Sequence, residues 1–161
     1  MKLIIESDRT PKNFTGIVEF ANGDKFWCRN GKCHREDGPA IEYANGTKIW
    51  YRNGKYHRED GPAIEYADGT KYWYRNGELH REDGPAKEDA NGDKYWYRDD
   101  KLHREDGPAI EYANGSKSWY LNDISYTESE YNAKMAKRST TPSCNGKVVE
   151  IDGKKYQLTA I

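Results

Sequence analysis

Long apolar stretches are missing from this sequence. Hydrophobic residues make up 35% of the 161 residues. No segment approaches the roughly 20 apolar residues that a membrane-spanning helix needs. The first ten residues, MKLIIESDRT, contain no apolar run of the length found in signal peptides. We therefore expect no membrane span and a cytoplasmic location.

Cysteine is scarce as well. The three cysteines, Cys28, Cys33 and Cys144, are odd in number and lack the spacing of a metal site. Disulfides belong to oxidising compartments, so we expect free thiols. We expect neither a metal nor a cofactor.

An excess of positive or negative charge and the usual catalytic motifs are also absent. The net charge is −1, which gives no overall field that favours nucleic acid or membrane. There is no G-x-S-x-G segment and no glycine-rich phosphate loop followed by a helix. The sequence therefore favours a non-enzymatic protein.

Aromatic residues, in contrast, are abundant. Thirteen tyrosines and five tryptophans are too many for a disordered chain, although a third of the residues are charged. Both side chains combine a large apolar body with a polar tip. We expect a thin structure with half-exposed side chains and no thick aliphatic core.

The sequence repeats every 23 residues. The text HREDGPA begins at His34, His57, His80 and His103. A fixed period of this length is the signature of a repeat array. Further columns follow the same step, and they are Trp27, Trp50, Trp73, Trp96 and Trp119; Lys25, Lys48, Lys71, Lys94 and Lys117; and Glu19, Glu42, Glu65, Glu88 and Glu111.

Each unit contains the pattern of a β-hairpin. Residues 41–44 and 47–51 flank Asn45-Gly46, and such a pair supplies the positive φ that both central positions of a type I′ turn need. A second turn follows at Asn53-Gly54, and Asp-Gly-Pro makes a third break. Turns equivalent to the first lie at Asn22-Gly23, Asp68-Gly69, Asn91-Gly92 and Asn114-Gly115, and those equivalent to the second lie at Asn30-Gly31, Asn76-Gly77, Asp99-Asp100 and Asn122-Asp123.

A two-residue turn at Asn45-Gly46 predicts the register of the hairpin. It places Ile41 opposite Trp50 and Glu42 opposite Ile49, and it gives two aromatic faces of which neither is plainly buried. The predicted fold is all-β, an elongated array of hairpins that forms either a single-layer meander or a solenoid.

The ends of the chain depart from the repeat. We expect an N-terminal strand in residues 1–10, five repeats in 11–126, a capping helix in 127–138, and a linker and C-terminal hairpin in 139–161. Thr127 followed by Glu130 is a capping-box pattern, which predicts a helix from about Glu128 to Lys137 that covers the edge of the last hairpin.

The text Tyr51-Arg52-Asn53-Gly54-Lys55-Tyr56-His57, at a 23-residue period, resembles the MORN repeat over about residues 11–126. The chain departs from that family where Arg58 follows the histidine in place of glycine. The HREDGPA text resembles uncharacterised proteins of bacteriophages and large viruses. The resemblance implies stacked hairpins, a role in protein scaffolding or phospholipid contact, and a viral origin. For a viral protein the expected cytoplasmic location is the host cytoplasm.

Two sets of repeated residues have a structural and a functional interpretation. For HREDGPA we expect arginine to pair with glutamate or aspartate between units and histidine to bind a turn carbonyl; ligand contact and metal binding are the alternatives. For the Lys–Trp–Arg columns, such as Lys48, Trp50 and Arg52, we expect a cation–π lattice in which Lys and Arg stems cover the rings. The alternative is a stacking platform for nucleotides or single-stranded nucleic acid.

The fourth unit breaks the repeated text. Lys87 replaces isoleucine, Asp89 replaces tyrosine, and Asp99-Asp100 replaces Asn-Gly. Such a break marks either a functional site or sequence drift. Because aromatic residues dominate interface energies, the predicted partner-binding residues are Tyr72, Trp73, Lys87, Asp89, Tyr95, Trp96, Asp99 and Asp100.

The sequence favours a non-enzymatic scaffold that binds a partner protein. A phage protein that modulates or inhibits a host defence or regulatory protein fits this hypothesis. The alternative is a protein that binds or sequesters a nucleotide or another small anion, and an enzyme is a distant third.

Overall fold

A computed structural model describes residues 2–5, 12–139, 148–152 and 154–157. The chain divides into two compact units, of which the first ends at Thr127 and the second begins at Glu128. The predicted all-β hairpin array with a short C-terminal helix and a terminal hairpin is confirmed. The linker expected after residue 139 and Cys144 lie outside the described residues.

One long sheet dominates the first unit, and within the described ranges it has thirteen strands. Strand β1 (Lys2–Ile5) pairs in parallel with β2 (Gly16–Phe20), and every later pairing is antiparallel. Each inner repeat contributes two short strands, so the sheet advances as a meander. The strands are β1 (Lys2–Ile5), β2 (Gly16–Phe20), β3 (Lys25–Arg29), β4 (Lys32–Cys33), β5 (Ile41–Glu42) and β6 (Lys48–Ile49), followed by β9 (Ile64–Glu65), β10 (Lys71–Tyr72), β13 (Lys87–Glu88), β14 (Lys94–Tyr95), β17 (Ile110–Glu111), β18 (Lys117–Leu121) and β19 (Ile124–Tyr126).

The inner repeats also carry a second hairpin outside the long sheet. These hairpins are β7 (Tyr51–Arg52) with β8 (Lys55–Tyr56), β11 (Tyr74–Arg75) with β12 (Glu78–Leu79), and β15 (Tyr97–Arg98) with β16 (Lys101–Leu102). Successive second hairpins are connected by their backbones, because the Gly54 N–H donates to the Cys33 carbonyl at 2.9 Å and the Gly77 N–H to the Tyr56 carbonyl at 2.8 Å.

The predicted register of the first hairpin is wrong by one residue. Ile41 lies opposite Ile49 and Glu42 opposite Lys48, because the connection has three residues instead of two. The Tyr43 N–H donates to the Thr47 carbonyl at 2.9 Å, so that Ala44 belongs to the loop and not to the strand. A one-residue shift moves a strand's side chains to the opposite face, so the mixed faces expected from the sequence separate into an apolar and a charged face.

The two kinds of turn explain this difference. In the first turn only Gly46 has a positive φ, 94°, as expected for a three-residue loop that ends in a left-handed residue. In the second turn Asn53 and Gly54 both have positive φ, 54° and 78°, which is the type I′ geometry. The type I′ turn that the sequence suggested therefore occurs in the second hairpin.

Each tryptophan marks the residue at which a strand changes its partner. The Trp50 N–H donates to the Ala63 carbonyl of the next unit at 2.8 Å, and the Trp50 carbonyl accepts from the His57 N–H at 3.1 Å. The chain thus leaves the long sheet at Trp50 and enters the second hairpin. Trp27, Trp73 and Trp96 make the equivalent bonds.

Two rows of directly opposed residues run across the long sheet on opposite faces. The apolar row contains Val18, Phe26, Ile41, Ile49, Ile64, Tyr72, Lys87, Tyr95, Ile110 and Ser118. The charged row alternates in sign and contains Glu19, Lys25, Glu42, Lys48, Glu65, Lys71, Glu88, Lys94, Glu111 and Lys117. Ile41, Ile49 and Ile64 are buried. Burial of each side chain contributes about 1.5–3 kcal/mol to the free energy of unfolding.

The second unit contains helix α1 (Glu128–Ser139) and a hairpin of β20 (Val148–Ile151) and β21 (Lys154–Gln157). The helix begins at the predicted residue and ends two residues later than predicted. Acidic residues lie in its first turn and basic residues in its last, as the helix dipole favours. Within the described part of the chain, no helix is long and apolar enough to cross a membrane.

Candidate partner-binding surface

The arginine of HREDGPA lies over the tryptophan of the preceding unit. The Arg58 Cζ atom is 4.0 Å from the centroid of the Trp50 ring, and the other three arginines lie 4.0–4.2 Å from theirs. Arg58 Nε donates to Asp60 at 2.9 Å, and its Nη1 donates to the Pro62 carbonyl at 3.3 Å and to Glu65 at 2.9 Å. The guanidinium is thus held by the loop on one side and the charged row on the other.

The glycine of HREDGPA makes room for this arginine. A Cβ atom at Gly61 would lie 2.9 Å from Arg58 Cζ, and the equivalent distances at Gly38, Gly84 and Gly107 are 3.0, 2.9 and 3.1 Å. The alanine at the end of the motif has no exposed surface at any of its four positions. These two small residues are therefore required by packing.

The histidines connect the loops to the second turns. His34 and His57 accept the N–H of Asn53 and Asn76 on Nδ1, at 3.0 and 3.1 Å. Their Nε2 atoms face Glu36 and Glu59 at 3.3 Å. The sequence predicted a carbonyl as the partner of histidine; at these two positions the partner is a turn N–H, and the histidine carries the structural role that was expected.

A cation–π lattice is present, but its cations come from a different column. The arginines of HREDGPA cover the tryptophans, whereas Arg52 of the Lys–Trp–Arg column pairs with Glu59 at 3.1 Å. Because each of these rings carries a guanidinium on one face, stacking of a nucleotide base on that face would require displacement of the arginine. The clefts between successive loops, of about 610–800 Å³, are lined by both acidic and basic side chains. Among the described residues, no group of three or more histidines, cysteines and carboxylates is arranged to hold a metal ion.

The face of the sheet opposite the charged row carries tyrosines, and Lys87 and Asp89 lie among them. We call this surface the tyrosine face and define it by Tyr66, Tyr72, Lys87, Asp89, Tyr95 and Tyr112. Lys87 is the cross-strand neighbour of Tyr72 and Tyr95, and its Nζ lies 4.3 Å from the centroid of the Tyr95 ring. The same Nζ donates to Asp89 Oδ2 at 2.7 Å.

The Lys87–Asp89 ion pair is half-buried, with 21% and 22% of the two side chains exposed. Burial by itself lowers the pKa of Lys87, but the hydrogen bond to Asp89 and the nearby phenol groups outweigh it and raise the pKa overall. Burial also raises the pKa of the adjacent Tyr95 and Tyr97. Near neutral pH the surface therefore carries a charged ammonium beside neutral phenols.

The eight residues predicted to bind a partner do not form a single surface. Tyr72, Lys87, Asp89 and Tyr95 lie together on the tyrosine face. Trp73 and Trp96 instead pack against Arg81 and Arg104. Asp99 and Asp100 form the second turn of the fourth unit.

The two turn aspartates have evident structural contacts. Asp99 Oδ1 lies 2.7 Å from His80 Nδ1, and Asp100 Oδ1 accepts the Leu79 N–H at 2.7 Å. Asp123 makes the same contact with Leu102 at 2.8 Å, so this arrangement is not confined to the fourth unit. The Asp-Asp pair that replaces Asn-Gly therefore forms the same turn and has a structural role there.

The sequence interpretation did not include Tyr66 and Tyr112 in the site. Tyr66 and Tyr112 are 43% and 36% exposed, and their rings contact Tyr72 and Tyr95 at centroid distances of 5.7 and 6.2 Å. Their column, which Asp89 interrupts, was visible in the sequence. This column shares a face with the Lys87 column in the predicted register as well as in the observed one.

Comparison with protein-family models and with curated proteins finds no match.

Proposed function

We propose that this chain is a non-enzymatic repeat scaffold that binds a partner protein through the tyrosine face. The observation that carries the proposal is the ion pair of Lys87 and Asp89 between exposed tyrosines, at positions that other units fill with isoleucine and tyrosine. Charged groups are costly to bury unless they are paired, so an apolar row gains no stability from this exchange. Selection for recognition explains the exchange better than selection for folding.

The residues around the ion pair suit a protein interface. Tyr66 and Tyr112 are exposed on either side of it, and tyrosine is among the residue types that dominate interface energies. The two half-buried charges would set the orientation of the partner, since complementary charges contribute more to specificity than to affinity.

The same residues define the chemistry of the partner. An ammonium group has three N–H donors, and Lys87 directs one of them to Asp89. A carboxylate of the partner can accept another, while apolar side chains cover the phenol rings of Tyr72 and Tyr95. We therefore propose a partner protein whose surface presents apolar side chains around a carboxylate.

The resemblance of the HREDGPA text to viral proteins supports a host protein as this partner. The nucleotide alternative is less favoured by the geometry, because arginine covers the tryptophan rings on which a base would stack.

A comparison of three proteins tests the proposal. The native chain, the variant Lys87→Ile/Asp89→Tyr and the control Lys71→Gln are immobilised and exposed to a host lysate. Lys71 lies in the charged row on the opposite face. The expected partner is retained by the native chain and by the control and is lost from the double variant. With the purified partner, the dissociation constant should rise about tenfold in the double variant, or about 1.4 kcal/mol.

If the control loses the partner and the double variant keeps it, the binding site lies on the charged face and the proposal is wrong. The nucleotide alternative would be favoured if the native chain retains no protein and its melting temperature rises when nucleoside triphosphates are added.

A further inference from the structure

Cys28 and Cys33 are directly opposed across the second hairpin of the first unit. Strands β3 and β4 pair Cys28 with Cys33 and Arg29 with Lys32. Both cysteines are in the reduced thiol form. The equivalent pairs in the next three units are Tyr51 with Tyr56, Tyr74 with Leu79, and Tyr97 with Leu102. In these four units, cysteine thus occupies both of the facing positions only in the first.

The position within the hairpin is suited to a disulfide. The His34 N–H donates to the Trp27 carbonyl at 3.0 Å, so the adjacent pair, Cys28 and Cys33, is a non-hydrogen-bonded pair. In such pairs the Cα atoms are about 4.5 Å apart and the side chains lie close together. Disulfides span Cα separations of about 4.4–6.8 Å. The backbone therefore already holds the two cysteines within bonding reach.

We propose that Cys28 and Cys33 form a dithiol site that reacts with low-molecular-weight disulfides and closes to a cross-strand disulfide. Cys33 is the attacking residue because it is partly exposed, whereas Cys28 is only 5% exposed. The Cys28 thiol donates a hydrogen bond to the Cys33 sulfur, which lowers the pKa of Cys33 although burial opposes the shift. A larger thiolate fraction at Cys33 favours attack.

The reaction has two balanced steps. The Cys33 thiolate attacks one sulfur of the small disulfide, whose S–S bond breaks; one thiolate leaves and takes up a proton. Cys28 then loses its proton and attacks Cys33 in the mixed disulfide, which releases the second small thiol. The two cysteines are oxidised together, and the small disulfide is reduced to two thiols.

Oxidised glutathione and mass spectrometry test the site in the full chain with Cys144→Ser, which removes the third thiol. The expected product has lost two hydrogen atoms, carries no glutathione, links Cys28 to Cys33 in the peptide map and reverts with dithiothreitol. Its melting temperature should exceed that of the reduced protein, because the cross-link restricts the unfolded chain.

Two further variants separate a built site from general thiol reactivity. In Cys28→Ser the reaction should stop at glutathione bound to Cys33. In Cys33→Ser/Lys32→Cys the second thiol is moved one residue along β4, to the other side of the hairpin. Closure of this pair should be slower by about tenfold or more, because successive side chains of a strand point to opposite faces.

The proposal is overturned if the Cys144→Ser protein stops at the mixed disulfide, forms cross-linked dimers or does not react. It is also overturned if the displaced pair closes as fast as Cys28 and Cys33.

Discussion

Arg58 covers Trp50 at 4.0 Å, and Gly61 lies so close behind the guanidinium that a methyl group there would be only 2.9 Å from Arg58 Cζ. Arginine, glycine and tryptophan therefore form one packing unit that recurs along the array. Their identity in every inner repeat follows from this contact.

The variant Gly61→Ala tests the contact. Arg58 is held by Trp50, Asp60, Pro62 and Glu65 and cannot move aside without loss of these bonds. We expect the free energy of unfolding to fall by about 1–3 kcal/mol, as for overpacking elsewhere. Denaturant unfolding measures the change.

The same substitution in an Arg58→Ala background is the control. Without the guanidinium the three atoms nearest to the new methyl group are absent. Gly61→Ala should therefore cost less than about 0.5 kcal/mol there, a coupling typical of residues in contact. An equal cost in both backgrounds would assign the effect to the backbone at Gly61.

Acid should weaken the array through the loop aspartates. The hydrogen bond from Arg58 and its charge hold the pKa of Asp60 below its ordinary value, and Asp37, Asp83 and Asp106 are shifted in the same direction by their arginines. Because the folded pKa is the lower one, these pairs stabilise the fold above the unfolded pKa, and that stability is lost as pH falls through the folded pKa.

The melting temperature should therefore decline as pH falls below about 4. In the variant with all four loop aspartates changed to asparagine, the decline should be smaller. An identical decline in both proteins would show that these pairs do not contribute.

The charged row supplies a test of the observed register. Glu65 lies between Lys48 and Lys71 and also accepts from Arg58. Glu65→Lys would place like charges together and should lower the free energy of unfolding by about 1–2 kcal/mol, more at low salt than at high salt. Glu65→Gln is the control and should cost less. In the register predicted from the sequence the residue at position 65 would face Tyr72, and a salt-independent effect would support that register.

Periodicity predicted the array because turn residues and columns repeat in every unit. It could not give the register, because Asn45-Gly46 fits a two-residue type I′ turn and a three-residue loop equally well. The hydrogen bond from Tyr43 to Thr47 and the positive φ of Gly46 alone identify the three-residue loop in the structure. The difference of one residue in loop length decides which side chains of the two strands share a face. The composition of the two faces therefore could not be predicted from the sequence.

The candidate site was predictable in part. Lys87 and Asp89 were identified because they interrupt the repeat. Trp73, Trp96, Asp99 and Asp100 were grouped with them by nearness in sequence, and the structure gives these four residues contacts with arginine, histidine or backbone groups. Their assignment required knowledge of which face each strand presents.

The interdependence of Lys87 and Asp89 is a further prediction. Lys87→Ile alone leaves Asp89 half-buried without its ammonium partner, and Asp89→Tyr alone leaves Lys87 without its carboxylate. Each single variant should lose about 1–3 kcal/mol. The double variant restores the repeated text and should be at least as stable as the native protein, as thermal unfolding of the four proteins would show. Additive losses in the double variant would mean that the two residues act independently.

Binding of the purified partner to Lys87→Ile/Asp89→Tyr tests the central claim most directly. We expect a well-folded variant with a melting temperature at or above that of the native protein and a dissociation constant raised about tenfold, measured by titration calorimetry. Unchanged affinity in this folded variant would contradict the account and would mean that the fourth unit carries no recognition site.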